Sequence, residues 1–491
     1  MRIPKISFWS SILFGCLILF SQFVFGFGGA SSVQASSELA NTDEHSGARL
    51  FVSEGLYDDL DASMVSSQSV LYYVSATGSN LNPGTLLKPW QTIQKAANTV
   101  SAGSTVVVLP GYYPEHPVIN RAGVAGAPII FQAQGHVITR GFTIQANYIT
   151  IRGFEITNTP DQERGGWGIF VNGSYCLIEN NYIHYATRGG IMLFTDANNY
   201  AQIRNCVVRN NRLYRNSQVG IMVNGRNHTI AYNEIWGTIQ HHPNMAVQPS
   251  WVDADGISFH GSGHIFRHNY IHDILYTVPE NIDPHIDCFQ TFFSPPYQEA
   301  ASNILFDSNR CDNARVRSAD LVGKGFMLQN ATNITIRNNI IKAYVGINAD
   351  NGTNRLTIVN NTFTSDLSLP TAYYPVGITL TNLATVTIQN NLFYNLPGQI
   401  IYMLKTTGLI AGRNLAFRAD GKMPWSTSTY SHINDLWGIN PLVVSPTDLH
   451  LRPTSPAIDR GLLITVVPND FDGNLRPKGA GYDIGAYEFL K

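Results

Sequence analysis

The sequence predicts an all-β protein, a right-handed parallel β-helix, and three observations predict it. A unit of the form apolar-x-apolar-x-Asn-Asn-x-apolar recurs, as in Leu177-Ile178-Glu179-Asn180-Asn181, Ile334-Thr335-Ile336-Arg337-Asn338-Asn339, Leu356-Thr357-Ile358-Val359-Asn360-Asn361 and Val386-Thr387-Ile388-Gln389-Asn390-Asn391. Weaker copies end at Asn211, Asn233, Asn269, Asn309 and Asn414, so that successive second asparagines stand 30, 22, 36, 40, 30, 22, 30 and 23 residues apart. A minimum near 22 with variable insertions marks a solenoid whose coils grow loops. A second strand signature alternates with the first, at Gly168-Ile169-Phe170-Val171, Gly190-Ile191-Met192-Leu193, Gly220-Ile221-Met222-Val223, Gly256-Ile257-Ser258-Phe259, Gly325-Phe326-Met327-Leu328 and Gly377-Ile378-Thr379-Leu380. Both have the period of two that belongs to strands. Finally, Gly, Tyr and Phe are plentiful (42, 23 and 24 of 491 residues), and the long Ala, Glu, Lys and Leu runs of coiled coils and helical solenoids are missing. A tight Asn-Asn corner needs a residue that tolerates left-handed backbone angles and can hydrogen-bond to its copy one rung away. A β-sandwich would show hairpin turns and no fixed corner residue.

The first segment addresses the chain. Arg2 and Lys5 precede an apolar run from Ile6 to Phe27, and Val33-Gln34-Ala35 has the spacing of a signal-peptidase site. Export with cleavage after Ala35 is expected; left uncleaved, the run is long enough to span a bilayer and would act as a membrane anchor. Residues 36–69 are Ser- and Asp-rich without apolar periodicity and read as a flexible leader. The β-helix with its amino-terminal cap is expected over 70–435 and a carboxy-terminal module over 436–491. Lys and Arg total 32 against 34 Asp and Glu, and no stretch is dense in one sign, which argues against a nucleic-acid partner. A monomer is expected.

The register also places cysteines. Cys176 and Cys206 each lie five residues before a corner asparagine, so they stack on adjacent rungs, either bonded or as two buried thiols. Cys311 takes the apolar place held by Ile183 and Ile271 in other coils and reads as core.

Residues Leu71 to His116 contain Tyr72-Tyr73-Val74-Ser75-Ala76-Thr77-Gly78, Asn82-Pro83-Gly84-Thr85, Lys88-Pro89-Trp90-Gln91-Thr92-Ile93-Gln94-Lys95-Ala96-Ala97 and Gly103-Ser104-Thr105-Val106-Val107-Val108. This stretch resembles the amino-terminal cap of secreted β-helix polysaccharide lyases, notably family 9. The resemblance implies that an amphipathic helix near Thr92 to Val100 closes the open end of the solenoid. The tail, with Asn440-Pro441-Leu442, Ser455-Pro456-Ala457-Ile458-Asp459, Asp470-Phe471-Asp472-Gly473 and Asp483-Ile484-Gly485-Ala486-Tyr487-Glu488, resembles a module common on exported bacterial β-helix proteins. One fold of this kind hosts many reactions.

Chemistry is expected where a ladder turns polar and the neighbouring loops lengthen. The position just before the second strand signature reads Trp167, Gly189, Val219, Asp255, Asp287, Lys324, Val345, Val376, so three charged residues interrupt an apolar or small column beside the two longest coil spacings. Around them stand Asp253, His260, Asp283, His285, Gln290, Arg315 and Arg317. Ile257 and Phe259 belong to the core by alternation and Ser258 and His260 face outward, while the direction of Asp255 at the loop-to-strand junction is open.

Two chemistries suit these groups. β-Elimination on an acidic sugar needs the carboxylate neutralised and a base for the C5 proton. Asp253, Asp255, Asp283 and Asp287 supply the hard oxygens that Ca²⁺ takes, Lys324 is the expected base, and His260 or His285 is the spare one. A basic lysine needs a depressed pKa, which the acids oppose and a calcium charge favours. Gln290, Arg315, Arg317 and Phe292 are candidate substrate contacts. Hydrolysis is the alternative: Asp255 and Asp287 on adjacent rungs stand ~5 Å apart from strand spacing alone, as a retaining glycosidase pair does. An epimerase, or a non-catalytic glycan-binding solenoid whose Phe292, Phe293 and Tyr297 stack on sugars, is the remaining possibility.

The lyase resemblance is partial at these residues. Asp255-Gly256 matches part of the Asp-Asp-Gly-x-Asp calcium segment of family 9, with Ala254 and Ser258 in place of the other acids. The family's catalytic lysine follows Gly-Phe, where this chain has Met327, and Lys324 lies three residues earlier. His285-Ile286-Asp287-Cys288-Phe289-Gln290 resembles a His-x-Asp-x-x-Gln segment of exported β-helix proteins with diverse activities. The resemblance thus implies an extracellular polysaccharide as substrate and a lyase with relocated groups.

Overall fold

Each coil consists of three short strands joined by corners, and the corner between the first and second is where the asparagines stand. The computed structural model describes residues 70–490 apart from 163, 196–202, 241–252, 275–284, 293–298, 316–321, 351, 373–374 and 432. The signal segment, the leader to residue 69, and the predicted Asp283, Phe293, Tyr297 and Arg317 lie outside the described residues. Strands from successive coils stack into three sheets of 13, 11 and 13 strands. Representative pairings are parallel, as in Ile257 with Phe289 and Ile336 with Ile358. The chain is a right-handed parallel β-helix.

The two asparagines of a corner do different work. The first takes the left-handed backbone conformation, with φ of 57° at Asn180, 55° at Asn210, 54° at Asn338, 53° at Asn360 and 56° at Asn390. The second turns its amide inward. Asn181, Asn211, Asn233, Asn269, Asn309, Asn339, Asn361, Asn391 and Asn414 form one continuous ladder, each Nδ2 donating to the next Oδ1 at 3.0–3.1 Å. Each amide also serves backbone groups that the turn would strand in the interior: Asn269 Nδ2 donates to Ile230 O, and Asn269 Oδ1 accepts the Asn233 N–H. A buried backbone group left unpaired is costly, and from Asn181 to Asn414 each rung carries an asparagine that pairs such groups.

Inside the sheets runs a core of Ile, Val, Leu and Phe, including a stack of Phe266 on Phe306 and Phe289 on Phe326. The amino-terminal end is covered by the helix Ile93–Thr99, which buries Ile93, Ala96 and Ala97. Thr92 caps it by accepting the Lys95 N–H, and the Glu115 carboxylate accepts those of Ile93 and Gln94. At the other end the segment after the solenoid docks on the outward asparagines of the corners. Asn338, Asn360 and Asn390 donate to the carbonyls of Asn469, Asp483 and Leu462.

The cysteines depart from the sequence reading in one respect. Cys176 and Cys206 are free buried thiols, but Cys311 is not a free core residue: it is bonded to Cys288, with Cα atoms 6.0 Å apart. Cys288 occupies the place of the column glycines. A Cβ at Gly256 would point inward and meet Ile271 Cγ2 at 2.5 Å, and one rung on, Ile271 is replaced by Cys311. The Cys288 side chain therefore meets Cys311, with its Sγ also 3.9 Å from Ile271 O.

Asn269→Ala removes both the donor and the acceptor of a central rung and is expected to cost about 2–6 kcal/mol, from about 1–3 kcal/mol for each of the Asn233 N–H and the Ile230 carbonyl left unpaired. Urea unfolding followed by circular dichroism measures it; a change below about 0.5 kcal/mol would show that the ladder is not holding the corners.

Candidate active site

The predicted polar column exists. Val219 pairs with Asp255, Asp287 with Lys324, Lys324 with Val345 and Val345 with Val376, and the Ile257–Phe289 register brings Asp255 onto Asp287. The glycine after Asp255 faces the interior and so does Ile257, so alternation breaks there. Asp255 thereby turns from the apolar core to meet other charged groups. The residues immediately before Asp255 and Asp287 run side by side, with Ala254 N–H donating to His285 O at 2.9 Å. This pairing carries Asp253 to His285.

Gln290 lies at the centre of the cluster. Its Nε2 is 3.1 Å from His285 Nδ1, 3.3 Å from Asp253 Oδ2 and 3.4 Å from Asp287 Oδ2. Asp253 accepts the His285 backbone N–H through Oδ1 at 2.9 Å, and its Oδ2 stands 3.6 Å from His285 Nδ1. Lys324 Nζ donates to Asp287 Oδ1 at 3.2 Å. Asp255 Oδ1 accepts the Asp287 backbone N–H at 3.1 Å. The Cys288–Cys311 bond anchors the Asp287 rung from the inside, and Asn313 Nδ2 donates to Ile286 O on the same rung. Gly323 permits the approach, since a Cβ there would lie 1.9 Å from Asn313 O.

Depth separates the charges. The Asp287 side chain is fully buried and Asp255 is 2% exposed, whereas the His285 side chain is 52% exposed and Lys324 keeps 13%. His285 and, less so, Asp253 at 28% reach solvent, while Asp255 and Asp287 lie beneath them with Lys324 mostly buried between. Burial, and then the charges of Asp253 and Asp287, hold the Asp255 carboxyl well above the usual carboxylate range. Burial also raises Asp287, with Lys324 and His285 pulling the other way. At Asp253 burial is outweighed by the His285 hydrogen bond and charge, and the carboxyl is held low. His285 is raised, first by its hydrogen bond to Asp253.

Other predicted residues stand apart from this group. His260, expected outward, is sealed: its ring packs edge-on to Phe292 at 5.1 Å, it is 1% exposed, and burial lowers its pKa to about 4. Ser258 is likewise buried. Arg315 forms a separate chain of charges, donating to Asp273 at 3.0 Å while Asp273 bonds His272 at 2.8 Å. Met327, where the lysine of family 9 would stand, pairs with Gln290 and Asn348 on the outer face of the sheet.

The described residues do not fit calcium. Asp287 is bonded to a lysine ammonium and Asp255 holds a backbone N–H, so a dication would have to displace existing partners. Among the described residues no three His, Cys, Asp or Glu side chains are grouped to hold a metal. The buried Asp255 and Asp287 carboxyls also lack the open approach that a glycosidase pair gives its substrate.

Residues 72–366 match the family described as the Pel9A-like, right-handed beta helix region. The chain belongs to this Pel9A-like β-helix family. Pectate lyase Pel9A itself superposes with a TM-score of 0.51 at 16% identity, over 86% of this chain and 97% of that one. XylC, solved in complex with xylose, gives 0.56 at 14% identity, over 86% and 99%. These likenesses show a pectate-lyase-like fold. The uncharacterized protein YwoF of Bacillus subtilis (strain 168) is 31% identical over 147 residues, and the match spans 26% of this chain and 31% of that relative.

Asp255 and Asp287 are predicted to behave oppositely. Asp255→Asn replaces a carboxyl whose raised pKa costs folding free energy once pH exceeds its unfolded value near ~3.9. The variant should therefore be at least as stable as the wild type at pH 7, with the difference shrinking toward pH 4. Asp287→Ala strands the Lys324 and Gln290 donors and should cost about 3–5 kcal/mol. Denaturant unfolding across pH measures both; a large loss in Asp255→Asn at pH 7 would mean that Asp255 is ionised.

Proposed function

We propose that the protein is an exported lyase that cleaves a uronic-acid polysaccharide by β-elimination at the Asp253–His285–Gln290–Asp287–Lys324 cluster. The observation that carries this reading is the grouping of an exposed His285 and a mostly buried Lys324 with the buried acids Asp255 and Asp287, on a pectate-lyase-like β-helix. Such a surface attracts a sugar carboxylate and offers it hydrogen bonds.

The geometry redistributes the roles expected from sequence. Lys324, whose Nζ donates to Asp287 Oδ1, suits pairing with the substrate carboxylate, which makes the C5 proton acidic. His285 is the exposed group of the cluster, and in the tautomer that turns its Nδ1–H toward Asp253 Oδ2 instead of accepting from Gln290 Nε2, its Nε2 suits accepting that proton. The C5–H electron pair then forms the C4–C5 double bond, the C4–O4 bond breaks, and the leaving oxygen takes a proton from His285 or from water. Gln290 and Asp253 act as positioning residues for the imidazole. A calcium role would require donors beyond the described residues, Asp283 among them.

Incubation with polygalacturonate and alginate, with and without chelator, should raise absorbance near 232 nm as the unsaturated product forms. His285→Ala and Lys324→Ala should each lose at least ~100-fold in kcat. New reducing ends without absorbance would establish hydrolysis instead, and full activity in both variants would move the reacting centre elsewhere.

The pH profile has a determined sign. A base whose pKa is raised above 6.5 becomes competent as it loses its proton, so kcat/KM should climb with pH through a value above 6.5. Asp253→Asn removes the main cause of the rise and should shift that limb to lower pH as well as lower the plateau. An unshifted limb would exclude His285 as the titrating base.

A further inference from the structure

The column that carries Asp255, Asp287 and Lys324 continues through Val345 and Val376 to Gln399. Beside Gln399, on the same edge of the same sheet, lies a cavity of about 300 Å³ lined by Pro375, Gln399, Arg418, Lys422, Met423 and Trp425. It is three rungs from Lys324, ~14 Å by strand spacing. Between the two, Val322, Tyr344, Val345 and Leu369 pack into an apolar cluster along the edge. The lining is unusual for a place without a task. Trp425 is 52% exposed although its backbone is fixed, its carbonyl accepting the Ile400 N–H at 2.8 Å. Asp420 is occupied by Arg418, which donates to both its oxygens at 3.0 and 2.6 Å. Lys422, with 75% of its side chain exposed, reaches Asp420 only at 3.9 Å and leaves the cavity with a net positive charge. An exposed indole offers a face to the C–H groups of a sugar ring, and a spare ammonium offers a partner to a carboxylate.

We propose that this cavity is a distal subsite that binds a uronosyl unit of the same polysaccharide chain whose reacting unit lies at Lys324, with Trp425 stacking on the ring and Lys422 pairing with its carboxylate. The assignment rests on the lyase reading of the cluster. It gives the protein a preference for chains long enough to bridge the two points and places the glycan parallel to the solenoid axis.

Calorimetric binding of galacturonic-acid and alginate trimers and heptamers tests it. Wild-type protein should bind a heptamer more tightly than the matching trimer. Trp425→Ala and Lys422→Ala, both at exposed side chains, should each weaken heptamer binding about fivefold, the equivalent of about 1 kcal/mol, and leave trimer binding unchanged. Heptamer affinities equal to wild type in both variants would overturn the subsite while leaving the lyase reading intact. A wild-type protein that binds neither oligomer series would overturn the lyase reading, and the subsite with it.

Discussion

The asparagine ladder is the constraint on which the rest depends. A chain that turns three times per coil buries corner backbone groups, and at the asparagine corners a side-chain amide pairs those that the neighbouring rung's backbone does not. One asparagine supplies the left-handed conformation and the next supplies an amide that bonds to its copies above and below. Because the ladder is continuous from Asn181 to Asn414, insertions of very different length can leave the coil without shifting the register of the strands. The site exists because of that tolerance. The coils spaced by 36 and 40 residues carry Asp253, Asp255, His285 and Asp287, yet their strands stay in phase.

Much of this was legible in the sequence. The two strand signatures, the corner asparagines and the column from Asp255 to Lys324 follow from period and spacing, the helical cap follows from the resemblance to family 9 lyases, and each is found in the structure. The pairing of Asp253 with His285 was readable too: both stand two residues before a column acid, one coil apart. The Cys288–Cys311 bond was within reach once Cys288 was seen in the glycine column, where a side chain can only point inward.

Depth was not legible. Alternation sets His260 and Ser258 on the outer face of their strand, but it does not say what covers that face, and Phe292 packs against the imidazole. The same gap separates Asp255 and Asp287 as acids on adjacent rungs from their actual condition as buried groups beside a mostly buried Lys324. Spacing gives proximity, whereas the protonation state and reach that decide chemistry come from burial and from partners distant in sequence. Lys324 illustrates this. Sequence offered it as a base, and the contact of its Nζ with the buried Asp287 Oδ1 is one that spacing alone does not give.

The account therefore turns on where a substrate carboxylate binds. The most direct measurement is a crystal structure of His285→Ala, inactive in this account, soaked with a galacturonic-acid trimer. A sugar carboxylate within hydrogen-bonding distance of Lys324 Nζ, with C5 directed at the space left by the imidazole, is the predicted result. A trimer bound on another face of the β-helix, or bound here with its carboxylates turned away from Lys324, would contradict the account.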